Sequence, residues 1–99
     1  MSRRDLSLQQ QMMQAAHAAI EFQHEHPDIA KEWNDISKYL VFLTVKDEKE
    51  LNRLLDKAKF YDLKFTAFHE PDIDNQLTAI AVEPCERARK ICSNLPLLK

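Results

Sequence analysis

The chain contains no glycine. At an ordinary usage of about 7%, a chain of this length would hold roughly seven. Loops that cradle phosphates need the main chain to approach a ligand closely, which a residue without Cβ permits. Walker-type and dinucleotide-binding loops are therefore excluded. Turns must be built from proline, aspartate and asparagine instead.

A chain of 99 residues suits a single domain, residues 1–99, with a modest core. Its hydrophobic content of 44% argues against intrinsic disorder. No apolar run approaches the roughly 18 residues that a membrane span requires. The opening MSRRDLSLQQQ lacks the apolar stretch of a secretory signal. The expectation is a cytoplasmic protein with no membrane partner. Fourteen basic and 16 acidic residues leave a formal charge of −2, so no global positive field attracts RNA. Two local basic groups remain, Arg3 with Arg4, and Arg87 with Arg89 and Lys90. Solvated surface charge is the reading that the composition favours for them. Cys85 and Cys92 fall in one predicted helix, roughly 10 Å apart along its axis, too far for a disulfide. They read as buried or partly buried thiols.

Ser7 and Gln10 have the spacing of a capping box, and good helix formers continue to about Glu25. Leu8, Met12, Ala15, Ala16 and Ala19 recur at helical intervals as the expected buried stripe. Pro27 stops that helix, and DIAKEWND makes one or two further turns with Ile29 and Trp33 inward. KYLVFLTV reads as a strand covered on both faces. Asp47 and Glu50 cap the next helix, whose apolar face is Leu51, Leu54, Leu55 and Ala58. KFTAFHE alternates, with Phe65, Ala67 and His69 on one face and Thr66 and Phe68 on the other. PDIDNQ is a turn and LTAIAVE a returning strand. Pro84 suits the first turn of a last helix that faces Ala88 and Ile91 inward. This order predicts an α/β three-layer sandwich, a small mixed sheet of three to four strands with helices on both faces.

Two groups of residues could carry chemistry. Gln10, Gln14, His17, Glu21 and His24 form one polar stripe along the first helix. His17, Glu21 and His24 have side chains that can ligate zinc, but a solvated helix face explains the same spacing. Gln14 and His17 alone project from adjacent turns, where a histidine can orient or move a proton. The second group lies in FHEPDIDNQLT, where Glu70 and Asp72 flank a proline and Thr78 begins the returning strand. Carboxylates at a strand end can activate water. Asp72, Asp74 and Asn75 need no role beyond the turn.

The segments MQAAHAAIEF, YLVFLTVKDEKELNRLLDKAK and FTAFHEPDIDNQLTAIAVEP together resemble the type II peptidyl-tRNA hydrolase family. The likeness runs from about Asp5 to Leu97, and the Gln-x-x-His-Ala pattern of Gln14, His17 and Ala18 is its most specific part. It implies an α/β fold and hydrolysis of the ester between a peptide and tRNA, with peptidyl-tRNA as partner and no cofactor or metal. It places Gln14 and His17 at the floor of a cleft, with Ala15, Ala16 and Ala18 permitting close helix–sheet packing. Glu70 stands near a family aspartate and Thr78 near a family hydroxyl residue. In that scheme His17 or Glu70 orients water, while Gln14 and Thr78 bond the carbonyl or ribose.

The chain departs from the pattern at three places. SLQQQMM replaces a run with lysine and glycine, EPD and VEP replace glycine-containing segments, and only MSRR precedes DL where the family has a hydrophobic strand. A shortened sheet would leave an open edge, which a homodimer would cover. The alternative reading of these departures is a non-catalytic binding or regulatory module on the same fold.

Overall fold

The computed structural model of the chain describes residues 1–38, 40–93 and 95. Tyr39 of the KYLVFLTV segment and Leu97, the far end of the expected likeness, lie outside the described residues.

Helix α1, Leu8–Glu25, starts at the capping box that the sequence predicts. The Gln10 N–H donates to Ser7 Oγ and the Ser7 N–H donates to Gln10 Oε1, both at 3.1 Å. Two of the donors left over at a helix N-terminus are thereby satisfied. The helix ends at His26, and Pro27 starts α2, Pro27–Glu32, which runs into a π-helical turn over Trp33–Ser37. Ile29 and Trp33 are half-buried there.

The buried face of α1 differs from the expected stripe. Gln11, Ala15, Ala18 and Phe22 are buried, whereas Leu8 and Met12 are 48% and 51% exposed. Ala16 is exposed and Ala19 half-buried. Ala15 and Ala18, at the middle of that face, let the helix lie close to the sheet. Gln11 is half satisfied there: its Nε2 donates to the Leu6 carbonyl at 2.9 Å, while its Oε1 is buried without a partner among the described residues.

The sheet has four strands: β1 Ser2–Arg3, β2 Thr44–Val45, β3 Phe65–Glu70 and β4 Gln76–Val82, in the order β2-β1-β4-β3. β1 is parallel to β2 and antiparallel to β4, and β3 is antiparallel to β4, so the sheet is mixed. Two expectations are corrected. MSRR supplies a strand, and that strand is central. Among its described residues KYLVFLTV contributes Thr44 and Val45 to the sheet, while Leu40 and Val41 stand exposed. The first bears on the second: β1 offers only the rungs Ser2–Thr44 and Arg3–Val45, so β2 has nothing further to pair with on that strand.

Helix α3, Glu48–Phe60, covers one face of the sheet. Asp47 caps it, accepting from the Glu50 N–H at 3.0 Å. Its Leu51, Leu54 and Leu55 pack with Val45, Leu77 and Ile80 as the main core. Helix α4, Glu86–Cys92, adds Ala88 against Ala58 and Leu63, with Ile91 partly buried beside them. Pro84 precedes this helix rather than lying in its first turn, because Cys85 is the capping residue. Both cysteines are free and half-buried. α1 lies on the opposite face of the sheet, which makes the three layers predicted from the element order.

In place of glycine, four of the described residues take positive φ: Lys38 at 53°, Asp62 at 56°, Asp74 at 59° and Asn75 at 56°. Three of the four are Asp or Asn, whose short polar side chains tolerate that region best.

Arg3 is no part of a surface patch. It is 6% exposed, pairs with Asp5 through Nε at 2.9 Å and Nη2 at 2.6 Å, and reaches Gln76 Oε1 at 2.9 Å and the Leu77 carbonyl at 3.1 Å. The Leu77 N–H is taken by Glu48 Oε2 at 2.8 Å. The bond from Arg3 holds the Asp5 carboxyl below its ordinary range. A depressed carboxyl contributes stability above its unfolded pKa and loses it as pH falls through the folded one. Urea titrations of wild type and Asp5→Asn are therefore expected to differ near pH 7 and to converge as pH falls below about 4. Arg3→Met is expected to lower the unfolding free energy by about 2 kcal/mol at pH 7.

Candidate active site

The two faces of β3 are occupied as its alternation predicts. Phe65 and Ala67 pack into the core under α3, while Thr66 and Phe68 meet α1. The alternation extends to Glu70, which shares the α1 face with Phe68.

β4 does not alternate evenly. Phe68 pairs with Ala79 and His69 with Leu77, so Thr78 is an extra residue at a bulge. Leu77 and Ile80 both enter the core under α3, although they are three residues apart. The bulge turns the Thr78 side chain toward α1, where it is fully buried.

Three of the four candidate residues meet around Phe68. The Thr78 hydroxyl donates to Gln14 Oε1 at 2.8 Å, with the Phe68 carbonyl a more distant acceptor at 3.3 Å. One turn further along α1, the His17 ring lies flat on the Phe68 ring, with centroids 4.8 Å apart and planes 5° from parallel. Gln14 is half-buried and His17 exposed, so the imidazole is held on one face and open to solvent on the other. A single hydroxyl proton is committed to Gln14 Oε1, which directs the Gln14 amide N–H groups away from Thr78. Among the described residues they have no acceptor.

Glu70 is half-buried at the end of β3. Its backbone carbonyl accepts from the Asn75 N–H at 2.9 Å, which closes the turn. Among the described residues its carboxylate has neither a hydrogen bond nor an ion pair, and it does not join the Gln14–Thr78–Phe68–His17 contacts. Ala15 and Ala18 are buried beneath the site as expected, whereas Ala16 points outward.

Phe68 carries more of this arrangement than sequence reasoning assigned to it. The alternation of KFTAFHE puts it on the correct face, but nothing in the sequence marks it as the platform for His17. Two further ties fix α1 over β3. The Thr66 hydroxyl donates to Glu25 Oε1 at 2.5 Å, and His26 Nε2 donates to the Phe65 carbonyl at 2.9 Å.

Glu21 and His24 lie exposed further along α1. Among the described residues no three His, Cys, Asp or Glu side chains are grouped to hold a metal ion. An apolar cavity lined by Leu54, Ala58, Ile80, Val82, Ala88 and Ile91 lies on the other side of the sheet, away from all four candidates. No described helix is long and apolar enough to cross a membrane.

A family model described as peptidyl-tRNA hydrolase PTH2 matches residues 1–98. No curated protein matches the chain.

A stacked aromatic ring shields protons above its face. Phe68→Leu is expected to move the His17 ring-proton resonances downfield while leaving the fold intact, as read by NMR. Thr78→Val removes the donor to Gln14 at nearly constant volume and is expected to cost about 1 kcal/mol of stability in a urea titration.

Proposed function

The chain belongs to the peptidyl-tRNA hydrolase PTH2 family, and on that premise we propose that it hydrolyses the ester joining a peptide to tRNA. The observation that supports this reading is the run of contacts from Gln14 through Thr78 and Phe68 to His17, where α1 crosses β3 and β4.

Ester hydrolysis requires an oriented water and donors for the oxyanion that develops. His17, fixed by its ring stack, orients the water and takes one of its protons. The water oxygen adds to the ester carbonyl carbon. The bond from that carbon to the ribose oxygen then breaks, and the proton passes to the departing oxygen. The products are a free peptide acid and a tRNA with its ribose hydroxyl restored. Gln14 supplies N–H donors to the carbonyl oxygen, and Thr78 acts by holding that amide in one orientation. Glu70, on the same sheet face, supplies a second acceptor, a carboxylate, for the water or the ribose.

A second reading is a binding module on the same fold. It is favoured by the run Ser7–Met13, which lacks the expected lysine and instead exposes Leu8, Met12 and Met13.

The readings separate on one assay. Purified protein is expected to release peptide from peptidyl-tRNA, and His17→Ala to lower the rate about 10²–10⁴-fold with an unchanged unfolding midpoint. Intact peptidyl-tRNA after incubation with the wild-type protein contradicts the hydrolase reading. Binding that hardly changes with salt contradicts contact with the tRNA phosphates.

A further inference from the structure

Gln14, His17 and Thr78 account for the reacting ester but not for the peptide attached to it. The outer edge of β3 has the geometry to hold that peptide. The Glu83 N–H donates to the Lys64 carbonyl at 3.0 Å, which makes the 64–83 pair a hydrogen-bonded rung. With the observed register, the next such rungs are Thr66–Ala81 and Phe68–Ala79. The other side of β4 agrees, since Ile80 and Met1 exchange both bonds, N–H to carbonyl at 3.0 Å and amine to carbonyl at 2.7 Å. Phe65, Ala67 and His69 therefore turn their N–H and carbonyl groups away from β4, along the open edge.

That edge is closed at one end. His26 Nε2 takes the Phe65 carbonyl, as an outward-pointing group requires. Among the described residues, the main-chain groups of Ala67 and His69 have no partner. The free stretch thus starts beside Phe65 and runs past Phe68, whose ring carries His17, toward Glu70.

We propose that the peptide of the acylated tRNA adds to β3 as an extended fifth strand, bonded through its main chain to Ala67 and His69. The inference rests on the hydrolase reading. Three observations select this occupant. The peptides on tRNA vary in sequence, so the features they share are main-chain donors and acceptors, which an open strand edge matches. Phe68 belongs to both the edge strand and the His17 contact, so edge and site are continuous. The His26 block limits the added strand to a few residues, as a segment leading away from one ester would need.

Strand addition has a signature that other modes of peptide binding lack. Successive residues of the added strand point their amides alternately toward β3 and away from it. The test uses the wild-type protein with tRNAs carrying N-acetyl-alanine, N-acetyl-tetra-alanine, and tetra-alanine N-methylated at one amide at a time. KM for the tetrapeptide is expected to be about fivefold to tenfold below that for the single residue, with kcat unchanged. Methylation is expected to restore the higher KM at alternate amides only. Cleavage with a KM independent of length, or sensitivity to methylation without alternation, overturns the proposal and leaves the hydrolase reading standing. A wild-type dimer with no length effect assigns the edge to a second copy of the chain and also overturns it. Absence of cleavage for every substrate overturns the hydrolase reading, and this inference with it.

Discussion

The bulge at Thr78 is the constraint on which the two faces of the sheet depend. A strand with an even two-residue period cannot send Leu77 and Ile80 into one core. The extra residue makes this possible and directs Thr78 to the other face, where its hydroxyl reaches Gln14. The cost of the bulge falls on Leu77, whose main chain loses regular ladder partners. Arg3 takes its carbonyl and Glu48 takes its N–H, so two charged side chains substitute for the missing rung. Arg3 is in turn fixed by Asp5, which ties the short N-terminal strand to the same point.

The two helical layers are attached by different physics. α3 is held by leucines packed against Val45, Leu77 and Ile80, a contact that excludes water and leaves no room for a substrate. α1 is held by alanines and by polar bonds: Gln14 to Thr78, Glu25 to Thr66, and His26 to the Phe65 carbonyl. Polar attachment keeps donors and acceptors near the surface at fixed positions. Preorganised groups of that kind are what transition-state stabilisation requires. On the proposed reading the chemistry lies on the α1 face, and the family match over residues 1–98 concerns the chain as a whole.

Much of this was legible in the residues. The Ser7–Gln10 cap, the leucine face of α3 and the alternation of β3 follow from short-range rules, and each occurs as those rules state. The failures have a common origin in long-range pairing. KYLVFLTV has the composition of a long strand, but strand length is set by the partner, and β1 is two residues long. Leu8 and Met12 look like core residues, yet the close approach of α1 to the sheet selects Ala15 and Ala18. Arg3 reads as surface charge until Asp5, Gln76 and Leu77 are brought around it. Spacing alone left Gln14 and His17 as polar positions on an amphipathic helix, and the family resemblance singled them out together with Glu70 and Thr78. Phe68 left no signal beyond its place in the alternation, because its role is created by the register of β3 against β4 and by the fit of α1.

The central claim is that Gln14 and Thr78 act as one unit on the ester. A double-mutant cycle in single-turnover hydrolysis of peptidyl-tRNA tests it most directly, with Gln14→Ala, Thr78→Val and the pair together. If Thr78 acts through Gln14, the double mutant is no slower than Gln14→Ala alone. Losses that multiply would show that the two side chains contribute separately, and the account of the site would then be wrong.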